Sequence, residues 1–135
     1  MEKSSRMDRV FNRLVQGLTA LSRHLDFAWS PAYGYLNSCP TNIGTGMRAS
    51  VHIRLEHLCQ HHHVLSSLAQ QHHLQIRGTQ GEKTGIENNV LDISNRYRFG
   101  LCEKEILKTL HKGVSALIAA EKMIQLIPLK KGAKQ

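Results

Sequence analysis

Apolar residues recur at steps of three and four from residue 7 to residue 25: Met7, Val10, Phe11, Leu14, Val15, Leu18, Leu21 and Leu25. That spacing places them on one face of an amphipathic helix. Gly17 falls inside it at a cost of about 1 kcal/mol against alanine. Pro31 and Gly34, in DFAWSPAYG, end the pattern. YGYLNSC is short and aromatic and reads as a strand, and PTNIGTG follows as a loop. MRASVHIRL then alternates, with Met47, Ala49, Val51, Ile53 and Leu55 on one face and Arg48, Ser50, His52 and Arg54 on the other. A period of two predicts a strand with one side on a core and the other free to meet something polar.

Residues 56–73 favour a helix, with Leu58, Val64, Leu65 and Leu68 as its buried positions. LQIRG is a third strand on which Gln75 and Arg77 share a face. GTQGEKTGIENN carries three glycines and two asparagines with no apolar period, so a mobile loop is expected. VLDIS is a fourth strand. Ile106, Leu110, Val114, Leu117, Ile118 and Ile124 predict a long closing helix from about 102 to 126, and PLKKGAKQ is expected to fray. Helix, two strands, helix, two strands, helix is an α+β order. The short loop between the first two strands predicts that they are antiparallel neighbours. The chain's 135 residues suggest one domain with no internal repeat. Its body runs over 7–126, with tails at 1–6 and 127–135.

Composition narrows the class. Hydrophobic residues make up 41% and charged residues 21%, which is a globular balance. Nothing approaches eighteen uninterrupted apolar residues, so no membrane span is expected. Lys and Arg outnumber Asp and Glu by 18 to 10, giving +8, an excess that suits a polyanion: nucleic acid, acidic lipid or the phosphates of a nucleotide. A basic nucleic-acid-binding domain would explain the charge but no motif, and an aromatic content of 5% offers few stacking platforms. The three cysteines, Cys39, Cys59 and Cys102, form neither a disulfide framework nor a CxxC pair. With no secretory signal visible, a reducing compartment, the cytoplasm, is expected. The opening MEKSSRMDRVFNRL is basic and amphipathic, but Glu2 and Asp8 make an ordinary surface helix a better reading than a mitochondrial presequence.

The candidate chemistry clusters in three places. Arg48 and Arg77 each lie on a predicted strand away from its apolar face. Each adjoins glycines, Gly44 and Gly46 in one case, Gly78 and Gly81 in the other. Guanidinium forks grip phosphate oxygens in pairs, and glycines admit backbone N–H groups to the same anion. Solvated strand arginines are equally compatible with the spacing. Cys39 is either a small buried hydrophobe or a thiolate favoured by a nearby hydroxyl and arginines. Glu82 is either a solvated glutamate or a carboxylate that orients a cationic substrate and takes its proton. The runs HHH at 61–63 and HH at 72–73 suggest a metal, but adjacent helical positions diverge, and a polar helix surface is the better reading.

CPTNIGTGMRASVHIRL, LQIRGTQGEKT and VLDISNRYRFGL together resemble the C-terminal part of the phosphagen kinases, the ATP:guanido phosphotransferases. The three blocks stand in family order at family spacing, and the likeness runs from about 7 to 122. It implies an antiparallel sheet flanked by helices. It also implies reversible transfer of the γ-phosphoryl of Mg-ATP to a guanidino compound such as arginine or creatine. By the resemblance, Arg48 is a phosphate-binding arginine, and Ala49, Ser50, Val51 and His52 form the strand beside the nucleotide. Arg77, Gly78, Thr79, Gln80, Gly81 and Glu82 form a loop over it, and Asp92 lies near it. Cys39 and Glu82 would face the guanidino group. Glu82 is similar to the arginine-kinase members, Gly46 to the creatine kinases, and Asn88 and Asn89 replace two glycines of the arginine kinases.

The acidic motif that precedes the first helix in the family is not matched by MEKSSRMDRVF, nor are the other phosphate-binding arginines and the smaller lobe. Weak or no autonomous turnover is therefore expected, with nucleotide and guanidino compound as partners. Self-association through uncovered apolar surface is expected too, and neither a nucleic acid nor a membrane partner. The alternative is a catalytically inactive nucleotide-binding or interaction module derived from the family.

Overall fold

The computed structural model describes residues 2, 3, 6–78 and 88–126. Most of the loop expected at 78–89 and the C-terminal tail lie outside these residues. The chain divides into two compact units, one comprising Met1–Gly46 with Arg98–Leu101, the other Met47–Tyr97 with Cys102–Gln135.

In the first unit, helix α1 spans Met7–Leu21. It stops a turn short of the expected end because Ser22, His24 and Leu25 donate back to Leu18 and Leu21 in closing turns. None of its residues is buried; Val10, Leu14, Val15, Leu18 and Leu21 stand 38–53% exposed. Two-residue strands β1 (Trp29–Ser30) and β2 (Gly34–Tyr35) form a hairpin. The strand expected over YGYLNSC thus shrinks to Gly34–Tyr35, and its neighbour is β1 rather than the MRASVHIRL strand. Beyond β2 the chain turns through Pro40–Asn42 in a 3-10 turn. Gly44 and Tyr35 exchange backbone hydrogen bonds at 2.8 and 3.2 Å. Thr45 N–H donates to Arg98 C=O at 3.2 Å, and the buried Arg98 returns an Nη1 bond to Thr41 C=O at 2.9 Å.

The second unit is a three-stranded antiparallel sheet in the order β3-β5-β4, with β3 at Ser50–Arg54, β4 at Leu74–Gly78 and β5 at Val90–Asn95. Pairing β3 with β5 aligns apolar rows: Val51 lies opposite Ile93, which lies opposite Ile76 on its other side, and Ile53 lies opposite Leu91, which lies opposite Gly78. Leu91 and Ile93 are completely buried, each contributing about 1.5–3 kcal/mol. Helices α2 (His62–Gln71) and α3 (Glu103–Leu126) pack against the sheet. The helix expected over 56–73 is split. Leu58–Gln60 forms a 3-10 turn, and α2 begins only after His61, whose φ of −112° and ψ of 63° break the helical path. In α2, Leu65 and Ala69 are buried while Val64 is 43% exposed.

Helix α3 buries Ile106, Leu110, Gly113 and Leu117, steps of four, three and four that mark one stripe. A Cβ on Gly113 would lie 2.5 Å from Leu74 Cδ1, so glycine is what lets α3 approach β4 this closely. The helix starts with a half capping box, in which Glu105 accepts the Cys102 N–H at 2.8 Å. That bond holds the Glu105 carboxyl below the ordinary range. Among the described residues, no helix is long and apolar enough to cross a membrane, and no group of three or more His, Cys, Asp or Glu is placed to hold a metal ion.

Candidate functional site

The register of the second unit decides which predicted residues meet. Residues directly opposite one another in a sheet share a face. His52, Asp92 and Arg77 form one such row across β3, β5 and β4, and Ser50, Ser94 and Gln75 form the next. Arg48 precedes Ser50 by two and keeps the same parity. Its Nη2 donates to Asp92 Oδ2 at 2.5 Å, and its Nη1 lies 3.4 Å from Ser50 Oγ. Arg77 Nη2 donates to Gln75 Oε1 at 3.2 Å. His52 Nε2 stands 3.7 Å from Asp92 Oδ1.

One polar face of the sheet therefore carries both arginines, with a carboxylate on the central strand between their positions. Neighbouring strands lie about 4.8 Å apart, so positions 52 and 77 are roughly 10 Å apart. Asp92 is nearly buried, its side chain 13% exposed against 30% for Arg48. Asp92 Oδ1 and Ser94 Oγ are buried on this face without a hydrogen-bond partner among the described residues. Ala49 and Val51 alternate to the opposite side, and Gly78 stands in the apolar row with Leu91.

Thr79, Gln80, Gly81 and Glu82 lie outside the described residues. The two asparagines that close the loop are within them, with φ of 55° at Asn88 and 58° at Asn89. Both are left-handed, a conformation in which glycine is at ease and asparagine is the next most tolerant residue.

Cys39 belongs to the first unit. It is exposed, and its Sγ shares a hydrogen bond with Thr41 Oγ1 at 3.0 Å. Cys59 is the contrasting thiol, where burial and then the Glu121 carboxylate push the pKa up. None of the three cysteines is in a disulfide.

Three residues that the sequence did not single out support this arrangement. Glu121 on α3 accepts backbone N–H groups from His57 at 2.8 Å and Leu58 at 2.6 Å, fixing the chain just past β3. Asn95 bonds the backbone on either side of Arg48. Arg98 pins the CPTNIGTG segment in its own unit. Only the last carried a sequence signal, a second arginine in RYRFGL.

The sequence matches the family described as ATP:guanido phosphotransferase, C-terminal catalytic domain, over residues 1–124. It is 41% identical over 124 residues to arginine kinase from Plodia interpunctella, covering 92% of this chain and 35% of that protein. It is 41% identical over 122 residues to arginine kinase from Limulus polyphemus, covering 90% and 34%. Among solved structures, it is similar to the duplicated taurocyamine kinase from Schistosoma mansoni with bound transition state analog components. The TM-score there is 0.87 at 35% identity, covering 90% of this chain and 17% of that one. A lombricine kinase matches with a TM-score of 0.83 at 36% identity, over 92% and 35%. The chain spans about a third of the length of the arginine kinases it matches. The same order of helices and antiparallel strands recurs in these structures, and the family match covers nearly all of the sequence: the chain belongs to the ATP:guanido phosphotransferases and corresponds to their C-terminal catalytic domain.

Proposed function

We propose that the polar face of the β3-β5-β4 sheet receives the phosphates of Mg-ADP or Mg-ATP, as the nucleotide half of an ATP:guanido phosphotransferase. The observation that carries this reading is the placement of Arg48 and Arg77 on one face, on either side of Asp92. Phosphoryl transfer asks mainly for positioning and for cations where charge gathers on the phosphate oxygens. Arg48 spends two of its N–H bonds on Asp92 and Ser50 and has more to offer an incoming oxygen. Asp92 holds that fork at the sheet surface before the nucleotide arrives. Ser50 and His52 line the same face. Asp92, the carboxylate of this row, is paired with Arg48, and on this reading Mg²⁺ is held mainly by the nucleotide's own phosphates.

The acceptor is a guanidino compound. The relatives are named for arginine, taurocyamine and lombricine, and arginine is the first choice. In the transfer, a guanidino nitrogen attacks the γ-phosphorus, the bond from that phosphorus to the ADP oxygen breaks, and the nitrogen loses a proton. Glu82 is assigned that proton, and Cys39 is assigned to the guanidinium. Because the chain spans about a third of its arginine-kinase relatives, a second reading has weight: it binds nucleotide without turning over, and associates through the exposed apolar face of α1.

Calorimetric titration of Mg-ADP into the wild type and into the Arg48→Ala, Arg77→Ala double variant tests the first reading. Saturable binding is expected in the wild type, weakened at least ~10-fold in the variant, in line with the loss of charge-assisted bonds. Equal binding by both proteins would sink the nucleotide site. Phosphoarginine-dependent ATP synthesis, abolished by Glu82→Gln, separates turnover from binding alone. Sedimentation velocity at two protein concentrations reads the self-association.

A further inference from the structure

We propose that Asn95 is a positioning residue for Arg48, acting on the backbone from the far side of the strand; its functional consequence rests on the phosphate-binding reading of Arg48. Asn95 is the last residue of β5 and only 2% exposed. By the alternation of the strand it shares the buried side with Leu91 and Ile93, opposite the face that carries Asp92. A buried amide among apolar residues is costly unless its bonds are made, and here they are.

Regular pairing of β3 with β5 runs from Arg54↔Val90 to Ser50↔Ser94. At the next position the Asn95 N–H still donates to Ala49 C=O at 3.3 Å, as a ladder would have it. The reciprocal bond is different: Ala49 N–H donates to the Asn95 side chain, Oδ1, at 2.8 Å. The same side chain donates through Nδ2 to Met47 C=O at 3.2 Å and to Tyr97 C=O at 2.9 Å. Turning the amide over would set NH₂ against an N–H and oxygen against two carbonyls, so only one orientation serves.

The two contacts on the β3 side bracket Arg48. Met47 C=O lies in the peptide before it and Ala49 N–H in the peptide after it. They fix the φ and ψ of residue 48 where the chain has left the regular strand. The guanidinium sits at the end of a long flexible stem. Its meeting with Asp92 Oδ2 depends on where that stem starts. A backbone clamp two bonds wide sets the start.

The test uses the full 135-residue chain. Nitrogen-15 NMR follows the Ala49 amide and the Arg48 Nε–H, while calorimetry follows Mg-ADP in a double-mutant cycle of Asn95→Ala and Arg48→Ala. In the wild type the Ala49 amide is expected to exchange slowly and the Arg48 side chain to be ordered. In Asn95→Ala, with the amides of β3 and β5 still protected, Ala49 becomes fast and the Arg48 order falls to that of a solvated arginine. Mg-ADP affinity drops ~10-fold, and less than ~3-fold when Arg48 is already alanine, the pattern of coupled residues. Should the alanine variant lose the sheet, Asn95→Asp keeps the acceptor facing Ala49 and removes the Nδ2 donor to Met47 and Tyr97, so the Ala49 amide should stay protected while Arg48 order and Mg-ADP affinity fall, the latter only where Arg48 is present. Unchanged Arg48 order, or the same affinity loss with and without Arg48, overturns the proposal. A wild type that fails to bind Mg-ADP overturns the nucleotide reading instead, and the NMR arm still decides the clamp.

Discussion

Removing the Glu121 carboxylate should loosen the second unit by an amount that can be worked out from its two bonds. Glu121 projects from α3 and accepts the N–H groups of His57 and Leu58 at 2.8 and 2.6 Å, at the start of the 3-10 turn Leu58–Gln60. Those donors are orphans of a helix start, with no partner within the turn itself. Hydrogen bonds to a charged acceptor contribute about 1.5–3 kcal/mol each, so the pair is worth roughly 3–6 kcal/mol. Part of that returns in a variant, because His57 and Glu121 are only half-buried and water reaches that side. Leu58 is completely buried, and its N–H has no such relief.

Glu121→Ala is therefore expected to cost about 3 kcal/mol, which lowers the melting temperature by about 12–24 °C for a unit of this size. Glu121→Gln keeps one carbonyl oxygen but turns an NH₂ toward the other donor, and should cost about half as much. Urea unfolding followed by circular dichroism measures both. Hydrogen exchange adds a local reading, since the Leu58 amide should exchange faster in both variants. An alanine variant within about 0.5 kcal/mol of wild type would refute the reasoning. So would unaltered exchange at Leu58, because the carboxylate would then not be what holds the turn after β3.

Gly44→Ala should destabilise the first unit by about 3 kcal/mol or more, since φ is +108° and the new Cβ would stand 2.4 Å from Arg98 C=O. Gly46→Ala, at φ +61° with its nearest neighbours 3.8 Å away, should cost only about 1 kcal/mol. Fluorescence of the single tryptophan, Trp29, reports both melts, and equal losses would contradict the contact geometry. Under native conditions at pH 8, Ellman's reagent should modify Cys39 and Cys102 quickly and Cys59 only on unfolding, because Cys59 is buried and its thiol pKa is raised. Rapid reaction of all three would reject that burial. The Asp8 carboxyl is held at about 2, from an ordinary 3.8, chiefly by its hydrogen bond with Arg6. A carboxyl depressed in the folded chain favours folding above its ordinary pKa and loses that effect as pH falls through the depressed one. An NMR titration should find the Asp8 midpoint near 2 and return it to the ordinary range in Arg6→Ala; an unmoved midpoint would count against the pairing.

Legibility in the sequence followed the range of the forces involved. The period of two over residues 47–55 placed the polar side of β3 correctly, and Ile106, Leu110 and Leu117 of the α3 stripe were visible in the spacing, whereas Gly113, buried between them, was not. Both patterns are local records of one face meeting a core. The pairing of β3 with β5 was not local. It depends on Val51 and Ile53 finding Ile93 and Leu91 some forty residues on, whereas β2, nearer in sequence, has only two residues and pairs with β1. The break at His61 was hidden because apolar spacing continues across it. The Glu121 carboxylate that accepts the N–H groups of His57 and Leu58, at the start of the 3-10 turn, stands more than sixty residues away and was equally hidden. The face of α1 was legible as a face, but spacing says nothing of what covers it, and here its leucines stay exposed.

The same reasoning explains why the site was half visible. Arginines on the polar side of strands could be named one by one, since parity assigns each to a face. That they serve one anion could be expected, but the register that sets them on either side of Asp92 could not, because it runs through β5. That central strand contributes Asp92 toward the polar side and Asn95 toward the buried side, three residues apart and thus of opposite parity. Asp92 meets the guanidinium of Arg48, while Asn95 grips the backbone from which that guanidinium extends. One strand thereby constrains both ends of the same side chain. On the proposed reading, an arginine held at root and tip loses little further freedom when phosphate arrives, and the cost of ordering it has been met by folding rather than by binding. A site tuned in this way should respond to Asn95 through Arg48, whereas Asp92 also faces His52 and Arg77. The double-mutant cycle is therefore the sharper instrument than any single loss of affinity.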